Sequence, residues 1–297
     1  PHNAQKPALA KRNKAGCKPQ TAYGFLRSSM HSAAIDAAMI ASEIHSGTSE
    51  SSPVLGDGAG GEVGTRVGAV FSQSAAWCEI LGVVNAADLA RLTEQGGLRT
   101  FIRVNEALHD KAIAALADTI TQRGSRVVLI AGPSSSGKTT FAARLAVHLR
   151  VLGRHPVQLS LDDYYLNRDL LPLEADGTKD LEAISTIDLP LLQKQVRALL
   201  DGETVETPRF NFLTGKRREQ GVRMALEPGQ PVVIEGIHGL NPQLLPALPR
   251  ESVHRVFVSA LTCLNLDDHN RIRTTDVRLL RRLVRDHQFR GTQAEET

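Results

Sequence analysis

One stretch, "VVLIAGPSSSGKTTF" from Val127 to Phe141, limits what this chain can fold into more than any other. An apolar run gives way to Gly, Pro, a serine cluster, Gly, Lys and a threonine pair, then turns apolar again at helical spacing. Gly132, Pro133, Ser134, Ser135, Ser136, Gly137, Lys138 and Thr139 fit G-x-x-x-x-G-K-[ST], and Thr140 comes directly after. In that pattern successive backbone N–H groups converge on phosphate oxygens, and the glycines let the backbone approach them closely. Lys138 would then reach the β- and γ-phosphates and the Thr139 hydroxyl would ligate magnesium. A helix starting near Thr139 would turn its positive dipole end to the anion. A serine-rich surface turn can match the pattern by chance, but the context argues against it. Val127 to Ala131 reads as a buried strand, and Phe141, Leu145, Ala146 and Leu149 share one helix face, which gives the required order of strand, loop and helix.

A chain of 297 residues has room for one sizeable α/β domain plus an extra segment. Its formal charge of +3 gives no reason to expect nucleic acid or a membrane as the main partner. Cys17, Cys78 and Cys263 lack metal-ligand spacing, so thiols in a reducing compartment are expected rather than a zinc site. No apolar run approaches the length of a membrane span, and the basic start lacks a signal-type apolar core, so the cytoplasm is the default expectation. The sequence opens at Pro1 rather than Met, as an incomplete or processed chain would.

Residues 1–68 read as linker-like or poorly ordered, with the remnant of a larger upstream domain as the alternative. The alanine-rich "SAAIDAAMIASEI" leads into "HSGTSESSPVLGDGAGGEVG", which offers little to bury. Residues 69–124 read as a helical segment docking on the α/β domain C-terminal to it. "AADLARLTEQGG" is a short helix ended by glycine, and Asn105 is placed to cap a second one with the stripe Leu108, Ala112, Ile113, Leu116 and Ile120, stopped at Gly124. Residues 125–297 alternate strand-like runs ("HPVQLSL", "QPVVIEGI", "SVHRVFVSA") with helical patterns such as "DLPLLQKQVRALLDG". That alternation predicts a doubly wound α/β fold with a parallel sheet, whose ligands sit at the carboxyl ends of the strands.

Three polar clusters fall at those ends. In "LSLDDYYLNRD", Asp162 and Asp163 come after a strand; a solvated turn or helix cap is the ordinary reading of such a pair, but the adjacent Tyr164 and Tyr165 suit a pocket wall. In "PVVIEGIHGL", Glu235 ends an apolar strand, as expected of a carboxylate holding magnesium directly or through water. In "RIRTTDVRLLRRLVRDHQFRG", Arg278, Arg281, Arg282, Arg285 and Arg290 mark a basic helix and its end, which reads as a solvated face, an RNA-binding surface or a clamp on a transferring phosphoryl group. No N-K-x-D guanine signature occurs, which speaks against a GTPase switch.

In this order, "GPSSSGKTTF", "SLDDYYLNRD", "TPRFNFLTGKR", "VVIEGIHGL" and "RLLRRLVRD" resemble the uridine kinase and phosphoribulokinase family of P-loop kinases, from about Phe71 to the end of the chain. The resemblance implies ATP and Mg2+, and a small-molecule hydroxyl acceptor, a nucleoside such as uridine or cytidine. It implies Asp162 as general base, Tyr165, Glu182, Phe210 and Arg290 at the substrate, Thr139 and Glu235 at the metal, and Arg282 and Arg285 with Lys138 in catalysis. Gly215 and Asn211 depart from the pattern, standing where uridine kinases carry a histidine and an aspartate. The family's domain normally runs on past this helix, so the resemblance implies a fold truncated at its C-terminus. Two alternatives stay open: a kinase for another small alcohol or sugar phosphate, and a nucleotide-binding regulatory module without turnover. Self-association into a homo-oligomer is left open as well.

Overall fold

Alternation along the apolar runs decides the layering. The computed structural model describes residues 39–43, 72–173, 177, 179–260, 264–289 and 293–294. In chain order the strands are β1 (Met39–Glu43), β2 (Val127–Ala131), β3 (Val157–Ser160), β4 (Val205–Thr207), β5 (Phe210–Asn211), β6 (Lys216–Arg217), β7 (Val222–Met224), β8 (Val232–Glu235) and β9 (Val253–Ala260). The main helices are α1 (Ala86–Glu94), α2 (Leu98–Gln122), α3 (Lys138–Val151), α4 (Leu189–Leu200) and α5 (Thr274–Phe289).

The main sheet runs β1-β9-β2-β8-β3. β2 is parallel to both β8 and β9, and β3 is parallel to β8. β2 is buried at every residue because both its neighbours are strands and both its faces are covered. Val127 and Leu129 point to one layer, where Leu192, Val196 and Leu199 of α4 pack. Val128 and Ile130 point to the other, onto Ile113, Ala117 and Ile120 of α2 and Phe141, Leu145 and Leu149 of α3. A period of two in the strand thus meets helix stripes on both sides, and the sheet is doubly wound. From β2 the chain passes to β3 on one side of it and later crosses from β8 to β9 on the other side, so a crevice opens at the carboxyl end of β2. No helix among the described residues is long and apolar enough to cross a membrane.

Two local expectations are corrected. Met39–Glu43, within the stretch expected to be linker, forms an edge strand antiparallel to β9, Met39 opposite Ala260. The remainder of residues 1–68 lies outside the described residues. The long helix begins at Leu98 rather than at Asn105. Asn105 sits inside it, donating to the Phe101 carbonyl at 2.9 Å and accepting from the Trp77 indole at 3.2 Å. Asn85 does cap α1, through a reciprocal pair of bonds with Asp88.

Close packing sets the start of the phosphate loop. A Cβ added to Gly132 would lie 2.1 Å from the Val258 carbonyl oxygen and 2.8 Å from Ser136 Oγ. Gly132→Ala must therefore push β2 from β9, and its melting temperature should fall by several degrees, the effect of about 1–3 kcal/mol of overpacking. A thermal melt unchanged from the parent would contradict that contact.

Candidate active site

Between β2 and α3 the backbone curls twice into the left-handed region, at Ser135 (φ 60°) and at Gly137 (φ 98°). Ser135 is the only non-glycine residue with positive φ among those described. Such a curl turns consecutive N–H groups toward one point, an anion-binding concavity at a helix N-terminus. Lys138 folds back over it, its Nζ donating to the Pro133 carbonyl at 3.2 Å. Burial holds the Lys138 ammonium below its ordinary value, although Glu235 and Asp162 pull the other way.

The floor of the crevice is Glu235, at the end of β8 and 9% exposed. Its Oε1 accepts from Thr139 Oγ1 at 3.1 Å and from Ser160 Oγ at 3.0 Å. Burial, then the charge of Asp162, pushes its carboxyl above the ordinary value, against the pull of Lys138 and the hydroxyl donors. These oxygen donors, with a buried carboxylate beside them, suit a hard divalent cation such as magnesium.

The adjacent aspartates diverge because a 3-10 turn (Leu161–Tyr164) succeeds β3 at once. Asp162 lines the crevice. Asp163 turns away, pairing with the Arg209 guanidinium and accepting from the Phe210 N–H at 3.1 Å. Tyr164 is fully buried and donates to Gln195 at 2.8 Å; burial raises its phenol. Arg217 fastens the turn from outside, donating to the Tyr164 carbonyl at 2.8 Å, the Tyr165 carbonyl at 2.9 Å and Asp188 at 3.0 Å.

Away from the phosphate loop the wall becomes apolar and aromatic. Tyr165, Phe210 and Phe212 meet edge to face, with ring centroids 5.3 to 6.4 Å apart. On the remaining side α5 leans over the loop. Arg281 Nε donates to the Ser135 carbonyl at 2.9 Å, Arg278 Nε to the Ser134 carbonyl at 3.4 Å, and Arg285 Nη1 to Ser134 Oγ at 3.2 Å.

The result is one cleft of about 830 Å³. Ser134, Ser135, Gly137, Lys138, Thr139, Thr140, Asp162, Tyr165, Glu182, Phe210, Glu235, Arg282 and Arg285, expected from the sequence, all line it. Gly132, Pro133 and Ser136 shape the loop without lining the cleft. Arg290 lies outside the described residues. Sequence reasoning missed Ser160, Thr186, Arg168 and Phe212. Phe212 had a signal in its spacing from Phe210 in "RFNF", whereas a serine at a strand end carries none. Arg278 and Arg281, which the sequence marks only as basic, are partners of the loop.

The model of the Phosphoribulokinase / Uridine kinase family matches residues 127–297. A uridine kinase of Deinococcus deserti is 33% identical over 171 residues, 57% of this chain and 72% of the relative. A uridine kinase of Lactobacillus johnsonii is 32% identical over 57% of this chain and 71% of its own length. A solved structure of a possible uridine kinase from Bacillus stearothermophilus is 25% identical, with a TM-score of 0.40 over 47% of this chain and 77% of that one.

The raised Glu235 carboxyl makes a prediction with a definite sign. A carboxyl whose value rises on folding stabilises the fold through its protonated form. That contribution is present below the ordinary value of 4.5 and is lost as pH rises through the folded value. Glu235→Gln removes the buried charge and keeps an oxygen for Thr139 and Ser160. It should melt at or above the parent at neutral pH, with the difference shrinking as pH falls through the raised folded value toward the ordinary 4.5, because the parent's carboxyl takes up its proton over that range. A variant several degrees less stable than the parent at neutral pH would show that the charge is not a burden on the apo fold.

Proposed function

Because the chain belongs to the phosphoribulokinase/uridine kinase family, we propose that it transfers the γ-phosphoryl group of ATP to a hydroxyl of a small molecule, a nucleoside such as uridine or cytidine. The observation that carries this reading is the lining of one cleft by an anion-binding loop at one end and an aromatic wall at the other, with Asp162 among the lining groups. Gly132 to Thr140 form the loop that would hold the nucleotide's phosphates, with Lys138 as the point charge on the outer pair. Thr139 and Glu235 would hold magnesium, whose charge offsets that of the phosphates when it is bound. Asp162 would accept the proton of the attacking hydroxyl. Tyr165, Phe210 and Glu182 would seat the acceptor. Arg282 and Arg285 would close that side of the site, where a guanidinium fork fits the oxygens of a phosphoryl group. Such a site works by orientation and charge rather than by covalent steps on the protein.

A second reading has one observation behind it. Arg168 lines the cleft, and a Cβ added to Gly215 would meet its Cδ at 2.6 Å, so its stem lies across that glycine. Among the described residues no carboxylate pairs with its guanidinium. A cation so placed favours an acceptor that carries an anion, such as a sugar phosphate.

Coupled ADP release with a panel of nucleosides and sugar phosphates separates the two and tests both. Turnover with uridine or cytidine supports the first, turnover with a sugar phosphate alone supports the second, and nucleotide binding with no acceptor-dependent turnover contradicts both. Lys138→Ala should remove most ATP affinity or turnover, and parent-like values would overturn the phosphate site.

The aspartates should behave unequally. Asp162→Asn keeps shape but loses the proton acceptor, and should cost on the order of 10²- to 10⁴-fold in kcat with ATP affinity nearly intact. Asp163→Asn weakens the Arg209 pair, so its expected loss is in thermal stability first. A larger kcat loss at Asp163 would assign the base to the other carboxylate.

A further inference from the structure

Helix α5 shows much of its apolar side to solvent: Leu279, Leu280 and Val284 are 53%, 64% and 49% exposed. Asp286 on the same helix is 4% exposed. A carboxylate so buried requires charged or hydrogen-bonding partners. Two guanidinium groups of its own helix serve it, on unequal terms.

Arg285 Nε donates to Asp286 Oδ1 at 2.7 Å. The same guanidinium donates through Nη1 to Ser134 Oγ, which makes Arg285 a strut from the buried carboxylate to the phosphate loop. Arg282 stands one helical turn before Asp286, with its Nε 3.6 Å from Oδ2. That distance is an ion pair without a hydrogen bond. The Arg282 Nε is itself buried with no hydrogen-bond partner, and Arg282 lines the cleft. One arginine therefore has its guanidinium committed at both ends, while the other stands beside the same carboxylate without a hydrogen bond to it and lines the cleft.

Building on the phosphoryl-transfer reading, we propose that Asp286 is a positioning residue that divides the work of the two arginines. It fixes Arg285 as a brace on the phosphate loop, and it keeps Arg282 aimed into the cleft as the guanidinium that serves the transferring phosphoryl group. The carboxylate also offsets part of the positive charge that Arg278, Arg281, Arg282 and Arg285 bring to one side of the loop, which lets four like charges crowd there without the helix swinging away. Asp286 acts through the arginines and touches no substrate.

The test uses the full chain and three probes: Mg·ATP, Mg·ADP, and Mg·ADP with aluminium fluoride, which mimics the phosphoryl group in flight. Calorimetry gives each affinity, and a thermal melt accompanies each variant. Asp286→Asn keeps an oxygen for the Arg285 Nε and removes the charge that orients Arg282. It should bind Mg·ADP much as the parent does and lose about tenfold or more of the added affinity that aluminium fluoride confers, the size of one charge-assisted hydrogen bond. Arg282→Met should reproduce that selective loss. Arg285→Met should weaken Mg·ADP as well, because the brace on Ser134 is gone. The Arg282 and Arg285 variants leave the buried carboxylate in place, so their contrast stands even if Asp286→Asn folds poorly. The inference is overturned if Asp286→Asn and the parent gain equally from aluminium fluoride. It is overturned too if all three probes weaken by the same factor, as a merely structural role requires. A parent that binds no Mg·ADP would overturn the phosphate-site reading and this inference with it.

Discussion

Two hydroxyls share one carboxylate oxygen at the centre of this molecule. Thr139, on the first turn of α3, and Ser160, at the end of β3, both donate to Glu235 Oε1 at the end of β8. Three elements that are far apart in sequence are thereby held at one point, at the carboxyl edge of a parallel sheet. The geometry of the rest depends on it. The phosphate loop cannot lift from the floor while Thr139 is held, and the turn bearing Asp162 begins within two residues of Ser160. Glu235 is buried at a cost, visible in the raised carboxyl, and groups held in an unfavourable charge state are characteristic of sites built to meet a ligand.

Charge is distributed around that point with a clear polarity. Cations crowd the loop side, where Lys138, Arg278, Arg281 and Arg285 all bond to its backbone or hydroxyl oxygens. Carboxylates stand across from them, and beyond these come the aromatic rings. Under the phosphoryl-transfer reading we propose, a polyphosphate would occupy the first region, a hydroxyl the second and a flat apolar body the third. Several of the arginines at the far end are already spent on structure: Arg209 on Asp163, and Arg217 on Asp188 and the carbonyls of the Tyr164 turn. The fold thus separates cations that hold the wall from cations that face the cleft.

Much of this was legible in the sequence where a residue's role is local. The strand-loop-helix order around Lys138, the strand ending in Glu235 and the buried face of α3 all come from periodicity and turn chemistry, and the structure has them. The α/β class came from the same alternation. What escaped depends on partners distant in the chain. Met39–Glu43 is a strand because β9 offers it an edge, not because its alanine-rich surroundings favour extension. Asn105 was misplaced as a cap because asparagine favours helix ends; inside α2 its amide is bound to the Phe101 carbonyl and the Trp77 indole. The task of Asp163 is set by Arg209, 46 residues away, and the link from Ser160 to Glu235 spans 75.

The central claim is that the cleft passes a phosphoryl group from ATP to an organic hydroxyl. The most direct measurement tracks the terminal phosphate itself, using ATP labelled at that position, magnesium, and a pool of nucleosides and sugar phosphates, with the products separated and counted. The account predicts label on one organic acceptor, and its near disappearance with Asp162→Asn although ATP still binds. Label appearing only as inorganic phosphate, or transfer that is indifferent to Asp162, would contradict it.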